Sequence, residues 1–192
     1  NMAWDEPTLV ALLKQGHEGA FEELMQRYRQ KVYLIAYGIT LDPEESRDIV
    51  QEVFLKAFQN ISRFEGRARL ATWLHRITVN QSLNWQRRWK RRLRWHHRPI
   101  ASEEDGESIE LGTDEYQAEV LHQRREIDQA YQKALKQLPD DARTIYVLKE
   151  IEGLSYAEIA RILNIKKGTV SSRLFYARQR LQKALKSYRE SI

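Results

Sequence analysis

Between Lys166 and Arg178 the chain sets out side chains suited to reading duplex DNA: Lys166 and Lys167, then Ser171, Ser172, Phe175, Tyr176 and Arg178. On a helix these fall away from the stripe Val170, Leu174, Ala177 and Leu181, which repeats at i, i+4, i+7 and i+11. Hydroxyls and guanidinium groups reach base edges in a major groove, rings can touch thymine methyls, and lysines at a helix mouth suit phosphates. A basic helical hairpin packed against another surface is the bland reading of the same pattern.

The elements that must hold this face are also written in the sequence. Ser155 and Glu158 stand in capping-box order ahead of the apolar residues Ile159, Ile162 and Leu163, so a short helix is expected to start at Ser155. Gly153 ends the helix before it, and a polar break from Asn164 to Gly168 separates it from the second helix. Residues 155–181 therefore read as a helix-turn-helix.

Three stretches upstream carry further chemistry. Arg87, Arg88, Lys90, Arg91, Arg92, Arg94 and Arg98 are interleaved with Trp85, Trp89 and Trp95, with no acid among them. Such a density of like charge is self-repulsive alone and makes sense beside phosphates. A membrane-surface helix is the rival, though the broad apolar face it needs is missing. Phe64 sits in a loop from Ser62 to Arg69 broken at Gly66, and is either a lid on the core or a ring free to stack on an unpaired base. Finally, Asp48, Gln51, Glu52 and Lys56 turn outward from a helix whose Val50, Val53, Phe54, Ala57 and Ile61 turn inward. A polar face of that kind is usually just solvated.

Nearly every apolar segment has helical rather than alternating period, so an all-α fold is expected. A short helix spans Glu6 to Gln15 on Leu9, Leu12 and Leu13. A longer one starts near Glu18 and presents Phe21, Leu24, Tyr28, Val32, Ile35 and Ile39. Asp42 before Pro43, with Glu44 and Glu45 in the first turn, signals a third helix reaching about Ile61. A fourth begins at Leu70 with Trp73, Leu74 and Ile77 as its core face and runs on through the basic stretch. After the acidic segment, helices are expected to Leu138 and, past Pro139, from Asp141 to Glu152. By period, Ile127, Ala130, Leu135 and Leu138 would face Ile145, Leu148 and Ile151.

The net charge of +5 conceals an alternation along the 192 residues: +6 over residues 1–98, −8 over 99–120 and +7 over 121–192. Two polyanion-binding domains on a solvated acidic tether would show this pattern. The expected division is a domain at 5–98, a flexible linker at 99–120, too poor in apolar residues to fold alone, and a second domain at 121–190. With no cysteine and five scattered histidines, neither a disulfide framework nor a metal site is expected. No nucleophile with its base and no Gly-rich phosphate loop is found, so neither enzymatic activity nor a cofactor is expected. The first residues lack the basic start and apolar run of a signal peptide, and no later run approaches spanning length, so a cytoplasmic protein without membrane insertion is expected.

In order and spacing these pieces resemble the extracytoplasmic-function (ECF) sigma factors of the bacterial sigma-70 family. The matching stretches are Asp48-Ile-Val-Gln-Glu-Val-Phe54, Phe64 to Asn80, Leu138-Pro-Asp-Asp141, Glu152 to Ala160 and Gly168-Thr-Val-Ser-Ser-Arg-Leu174. The resemblance implies that Asp48, Gln51, Glu52 and Lys56 dock on the β′ clamp helices of core RNA polymerase, reversing the solvated-face reading. It implies that Phe64, Arg76 and Asn80 take a flipped-out base of the minus-10 box, with Arg87 and Arg88 on the backbone just upstream. Trapping unpaired bases is also what melting DNA without ATP demands. Lys166, Lys167, Ser171, Ser172, Arg173, Phe175, Tyr176 and Arg178 would read the minus-35 box of promoter DNA, while the second domain's apolar surface grips the β flap. The linker would thread toward the polymerase active-site channel, and an anti-sigma factor would restrain the whole.

Two residues depart from the family pattern. Many relatives carry Lys or Arg where this chain has Ser171, and Arg where it has Tyr176, so phosphate or guanine contacts would be fewer. The tryptophan-rich tail from Trp85 to His97 is also heavier than the family leads one to expect. It could serve an inhibitor instead of DNA. Outside the family, the rival reading is a dimeric helix-turn-helix regulator, for which the chain offers no heptad seam.

Overall fold

The structure is a computed structural model and describes residues 4–95 and 128–189. Its helices are α1 (Glu6–Lys14), α2 (Glu18–Thr40), α3 (Pro43–Asn60) followed by a 3-10 turn (Ile61–Arg63), and α4 (Leu70–Trp95). After these come α5 (128–136), α6 (Asp140–Tyr146) running into a π turn (Val147–Ile151), α7 (Tyr156–Leu163) and α8 (Lys167–Arg189). The expected linker at 99–120, the end of the first domain and residues 121–127 lie outside the described residues. No described helix is long and apolar enough to cross a membrane.

Local chemistry sets the helix boundaries. Asp5 caps α1 by accepting from the Thr8 amide at 3.0 Å, and Asp42 caps α3 by accepting from the Glu45 amide at the same distance. Glu6 reaches across 64 residues to accept from the Leu70 amide at 2.9 Å, satisfying the start of α4 from the first turn of α1. Inside α4 the buried hydroxyls of Thr78 and Ser82 donate back to the carbonyls of Leu74 and Thr78, so neither is left unpaired.

The first half packs α1 to α4 around Leu9, Leu13, Leu24, Val32, Val53, Ala57, Leu70 and Leu74. A second core does not respect the division expected from the sequence. Ile35 and Ile39 of α2 and Val79 of α4, each at most 1% exposed, join Ile145, Leu148, Ile159, Val170 and Leu174 of the second half. Burying an aliphatic side chain of this size stabilises by roughly 1.5–3 kcal/mol, so the shared core is a substantial attachment. Leu41 likewise packs on the cluster of Ala134, Leu135, Leu138, Ala177 and Leu181.

In its last turn α2 is cut away to admit the second half. A Cβ on Gly38 would lie 2.7 Å from a methyl of Val147, a distance that real Cβ atoms do not reach. Polar bonds cross the same seam. Arg143, 6% exposed, donates through Nε to the Ile39 carbonyl at 3.0 Å, a carbonyl that also accepts at 2.7 Å from Gln86 of α4 within the first half. Lys90 pairs with Asp140 at 2.5 Å.

Two expectations for the second half are corrected. The helix expected from Asp141 to Glu152 gives way at Val147 to a π turn, and Ile151, placed in the core by helical period, is 42% exposed. A π turn takes more residues per revolution than an α-helix, so Ile145 and Leu148 stay inward while Ile151 rotates out.

Candidate nucleic-acid interface

The helix-turn-helix forms as its caps dictate. The Ser155 hydroxyl accepts from the Glu158 amide at 3.2 Å, and the Glu158 carboxylate accepts from the Ser155 amide at 2.8 Å, closing a capping box that also holds the Glu158 pKa below the usual range. Asn164 turns the chain in a left-handed conformation (φ 53°), and α8 starts at Lys167, so Gly168 lies in the helix and not in the break. Val170, Leu174, Ala177 and Leu181 are buried beneath it.

On the opposite side of α8, Lys166, Lys167, Ser171, Ser172, Phe175, Tyr176 and Arg178 are all exposed, Phe175 by 62%. An apolar ring so uncovered has no role in this core. Two guanidinium groups are held in place by acids of the same half: Arg173 Nε lies 3.0 Å from Asp141, and Arg178 Nε donates to Glu150 at 3.0 Å. Arg180 lies over the Tyr176 ring at 5.3 Å, so a cation stands close to where the family pattern has Arg. The face can offer hydroxyls, an apolar ring and pre-oriented cations to a groove.

Phe64 is 7% exposed and tilts against Trp73 with ring centroids 5.3 Å apart, which resolves it as covered in this arrangement. Together with Gly66, Thr72, Trp73 and Arg76 it lines a cleft of about 270 Å3. Arg161 and Ile162 of α7 also line that cleft. Asn80 is exposed one turn beyond Arg76 on α4 and is not among the lining residues. Further along, Arg87 and Arg88 are exposed and border a polar groove of about 950 Å3, whose other wall is Glu45, Asp48 and Glu52 of α3. Trp85 stacks on Trp89 (5.7 Å, 14°), with Trp85 against the first core and Trp89 39% exposed.

The outward face of α3 has the expected polar residues: Asp48 and Gln51 are exposed, and Glu52 and Lys56 are half-exposed and paired at 3.2 Å. The sequence reading overlooked two apolar residues beside them, Leu55 at 51% and Phe58 at 56% exposure. Their signal was positional, since neither falls on the inward stripe of Val50, Val53 and Ala57. It also overlooked Gly38, Gln86, Arg143 and Arg161. A glycine inside a helical pattern marks a close approach as readily as a weak spot.

The fold and these surfaces are those of a sigma factor. Residues 24–92 match the family model described as Sigma-70 region 2, and residues 128–181 match that described as Sigma-70, region 4. The chain is 35% identical over 184 residues to the ECF RNA polymerase sigma-E factor of Haemophilus influenzae, covering 92% of this chain and 93% of that one. It is 32% identical over 183 residues to the RNA polymerase sigma-H factor of Pseudomonas aeruginosa, covering 92% of each. Among solved structures it is similar to the sigma factor RpoE of Bartonella quintana in complex with the anti-sigma factor NepR, with a TM-score of 0.68, 25% identity, and 86% of this chain and 96% of that chain covered. CnrH in complex with the cytosolic domain of CnrY shares the fold at a TM-score of 0.65 and 23% identity, over 95% of this chain and 97% of that one. The chain belongs to the ECF sigma factors of the sigma-70 family, which bind core RNA polymerase and promoter DNA to initiate transcription.

Proposed function

We propose that this chain acts as a non-catalytic, cytoplasmic subunit that divides promoter recognition between its halves. The observation that carries this reading is the outward face of α8: exposed Lys166, Lys167, Ser171, Ser172, Phe175, Tyr176 and Arg178 stand opposite a fully buried stripe, on a helix positioned by a capped partner. That face, with Arg173, enters the major groove at the minus-35 box. Residues 5–98 form the domain that opens the minus-10 box, residues 99–120 the linker and 121–190 the upstream-reading domain.

In the first domain Phe64, Arg76 and Asn80 engage the unpaired base and its neighbours, and Arg87 and Arg88 hold the backbone. Asp48, Gln51, Glu52 and Lys56 dock on the β′ clamp helices, with Leu55 and Phe58 adding apolar area to the same surface. The second domain grips the β flap. Both solved relatives named above were captured with an anti-sigma factor or the cytosolic domain of a partner, which supports an anti-sigma factor as the restraint here.

Run-off transcription from a promoter library, with bacterial core polymerase plus or minus the protein, tests the reading. Start sites that appear only with the protein and share two spaced boxes are expected. No new starts, with tight and specific binding of duplex DNA by the protein alone, would replace this reading with that of a self-sufficient regulator.

A further inference from the structure

The cations of α8 are held in two different ways. Arg173 Nε lies 3.0 Å from Asp141, and Arg178 donates to Glu150 through Nε at 3.0 Å and Nη2 at 2.5 Å. A carboxylate that braces a guanidinium also occupies its donors and offsets its charge. Arg180 is braced by a ring instead, with its Cζ over Tyr176 at 5.3 Å from the centroid. An aromatic face fixes the plane of a guanidinium by cation–π attraction and leaves both its charge and its in-plane N–H donors for a ligand.

Position on the helix points the same way. Ser172, Tyr176 and Arg180 follow at four-residue intervals and are all exposed, on the side of α8 away from the buried Val170, Leu174 and Ala177. Helical side chains lean toward the N-terminus of their own helix, so Arg180 lies back over the preceding turn, where Tyr176 stands. Its cation is thereby carried about one turn, roughly 5 Å, toward the end of α8 that begins at Lys167. That is the end a recognition helix inserts into a major groove.

Resting on the proposed function, we infer that Arg180 is a base-reading residue of the minus-35 contact, positioned by Tyr176, and that it takes the O6 and N7 acceptors of a guanine. The fixed plane decides between ligands. A phosphate accepts donors from many directions and gains little from a braced guanidinium, whereas a guanine edge is met bidentately only by donors lying in the plane of the base. Tyr176 is then a positioning residue, acting through its ring and not its hydroxyl.

The test uses the full chain with bacterial core polymerase and a promoter library randomised across the upstream box, read by run-off transcription. Wild type is expected to favour guanine at one position of the box, and Arg180→Ala to reduce that preference about tenfold while thermal melting holds. Arg180→Lys keeps a charge but has no planar fork. It is expected to lose the same preference while the slope of log affinity against log salt stays at the wild-type value. Tyr176→Ala is expected to lose the preference at that same position, and Tyr176→Phe to keep it. Combining Tyr176→Ala with Arg180→Ala should cost no more selectivity there than Arg180→Ala alone, because both act through one contact.

No guanine preference in the wild-type box, a preference untouched by Arg180→Ala, or a loss spread evenly over every box sequence would each overturn the inference. Wild-type selectivity in Arg180→Lys would overturn it too, since a point charge would then suffice. Full selectivity in Tyr176→Ala, or a loss as large in Tyr176→Phe, would remove Tyr176 as the brace and sink the geometry on which the inference stands. Failure of the broader reading looks different, because wild type then directs no starts at all. The same variants are in that case read on duplex DNA bound by the protein alone, where a guanine preference lost with Arg180→Ala upholds the inference and its absence sinks it.

Discussion

His75 Nε2 lies 3.9 Å from a carboxylate oxygen of Glu152, and the two side chains, one from each half, are only 4% and 6% exposed. That distance is too long for a hydrogen bond, and among the described residues neither ring nitrogen of His75 has a hydrogen-bond partner. Burial, with repulsion from Lys31 behind it, lowers the imidazole pKa from 6.5 to about 4 against the opposing pull of Glu158. Burial raises the pKa of Glu152, and Lys31 pulls it back. The seam thus encloses a neutral histidine beside a weakened acid.

This pair predicts acid sensitivity. The folded pKa of His75 lies below its unfolded value, so the unfolded chain takes the proton first as pH falls. Its contribution is complete above 6.5 and is lost progressively down to about 4. Glu152 acts with the opposite sign, because its raised pKa lets the folded state bind a proton earlier and regain stability on acidification. Comparing wild type with His75→Gln isolates the first effect. Urea unfolding is expected to show wild type losing roughly 2 kcal/mol more than the variant between about pH 7 and pH 5. Parallel curves would show that His75 is solvated in solution.

The capping box gives a purely structural prediction. Ser155→Ala removes the acceptor for the Glu158 amide and should cost about 1 kcal/mol of stability. Glu158→Ala should cost a similar amount, and the double variant less than the sum, because each residue bonds the other. Thermal melts of the four proteins complete the cycle. Strict additivity would mean the two bonds are independent.

On α8 the prediction separates stability from recognition. Phe175, 62% exposed, can be replaced by Ala with a change in unfolding free energy within about 0.5 kcal/mol. Affinity for promoter DNA in the holoenzyme should nevertheless fall by about 1 kcal/mol where the ring meets a thymine methyl. Ser171→Arg restores a cation to the exposed face, and the slope of log affinity against log salt should steepen by about one. A slope left unchanged would place Ser171 away from the phosphates.

For α3 the measurement is holoenzyme assembly. Asp48→Arg and Leu55→Ser change exposed side chains, so helicity and melting should hold while affinity for core polymerase drops by roughly tenfold or more. Unaltered assembly in both variants would move the polymerase contact off this face.

Much of the local structure was legible because it is encoded over three or four residues. Asp42 with Pro43, Ser155 with Glu158, and Gly153 at φ +66° each mark a boundary through a bond or a backbone conformation that only certain residues allow. The face of α8 was equally legible, since a helix with a single buried stripe fixes what remains outside. The partner of a stripe is another matter. Ile35 and Ile39 lie on the same helical period as Leu24 and Val32, yet they pack on the second half while Leu24 and Val32 pack on the first. Period says that a residue is buried and is silent about what buries it. Ile151 failed for a different reason, because a π turn alters the period from within and leaves no residue signature. Phe64 was open in sequence because its cover combines Trp73, across the next loop, with α7, about ninety residues on, and no local spacing encodes that meeting.

The carbonyl of Ile39 accepts from Gln86 and from Arg143, and these two donors belong to different halves. Parting the halves leaves the carbonyl with Gln86, so α2 keeps its buried acceptor satisfied and needs no rearrangement. Arg143 keeps what its own half provides, the carbonyls of Leu135 at 3.2 Å and Leu138 at 3.5 Å and the Asp140 carboxylate at 3.3 Å, and its Nε must find water. The rehydration that accompanies separation therefore falls unevenly. On the α2 side no backbone acceptor would be left unpaired, while on the other side a guanidinium N–H would lose its partner.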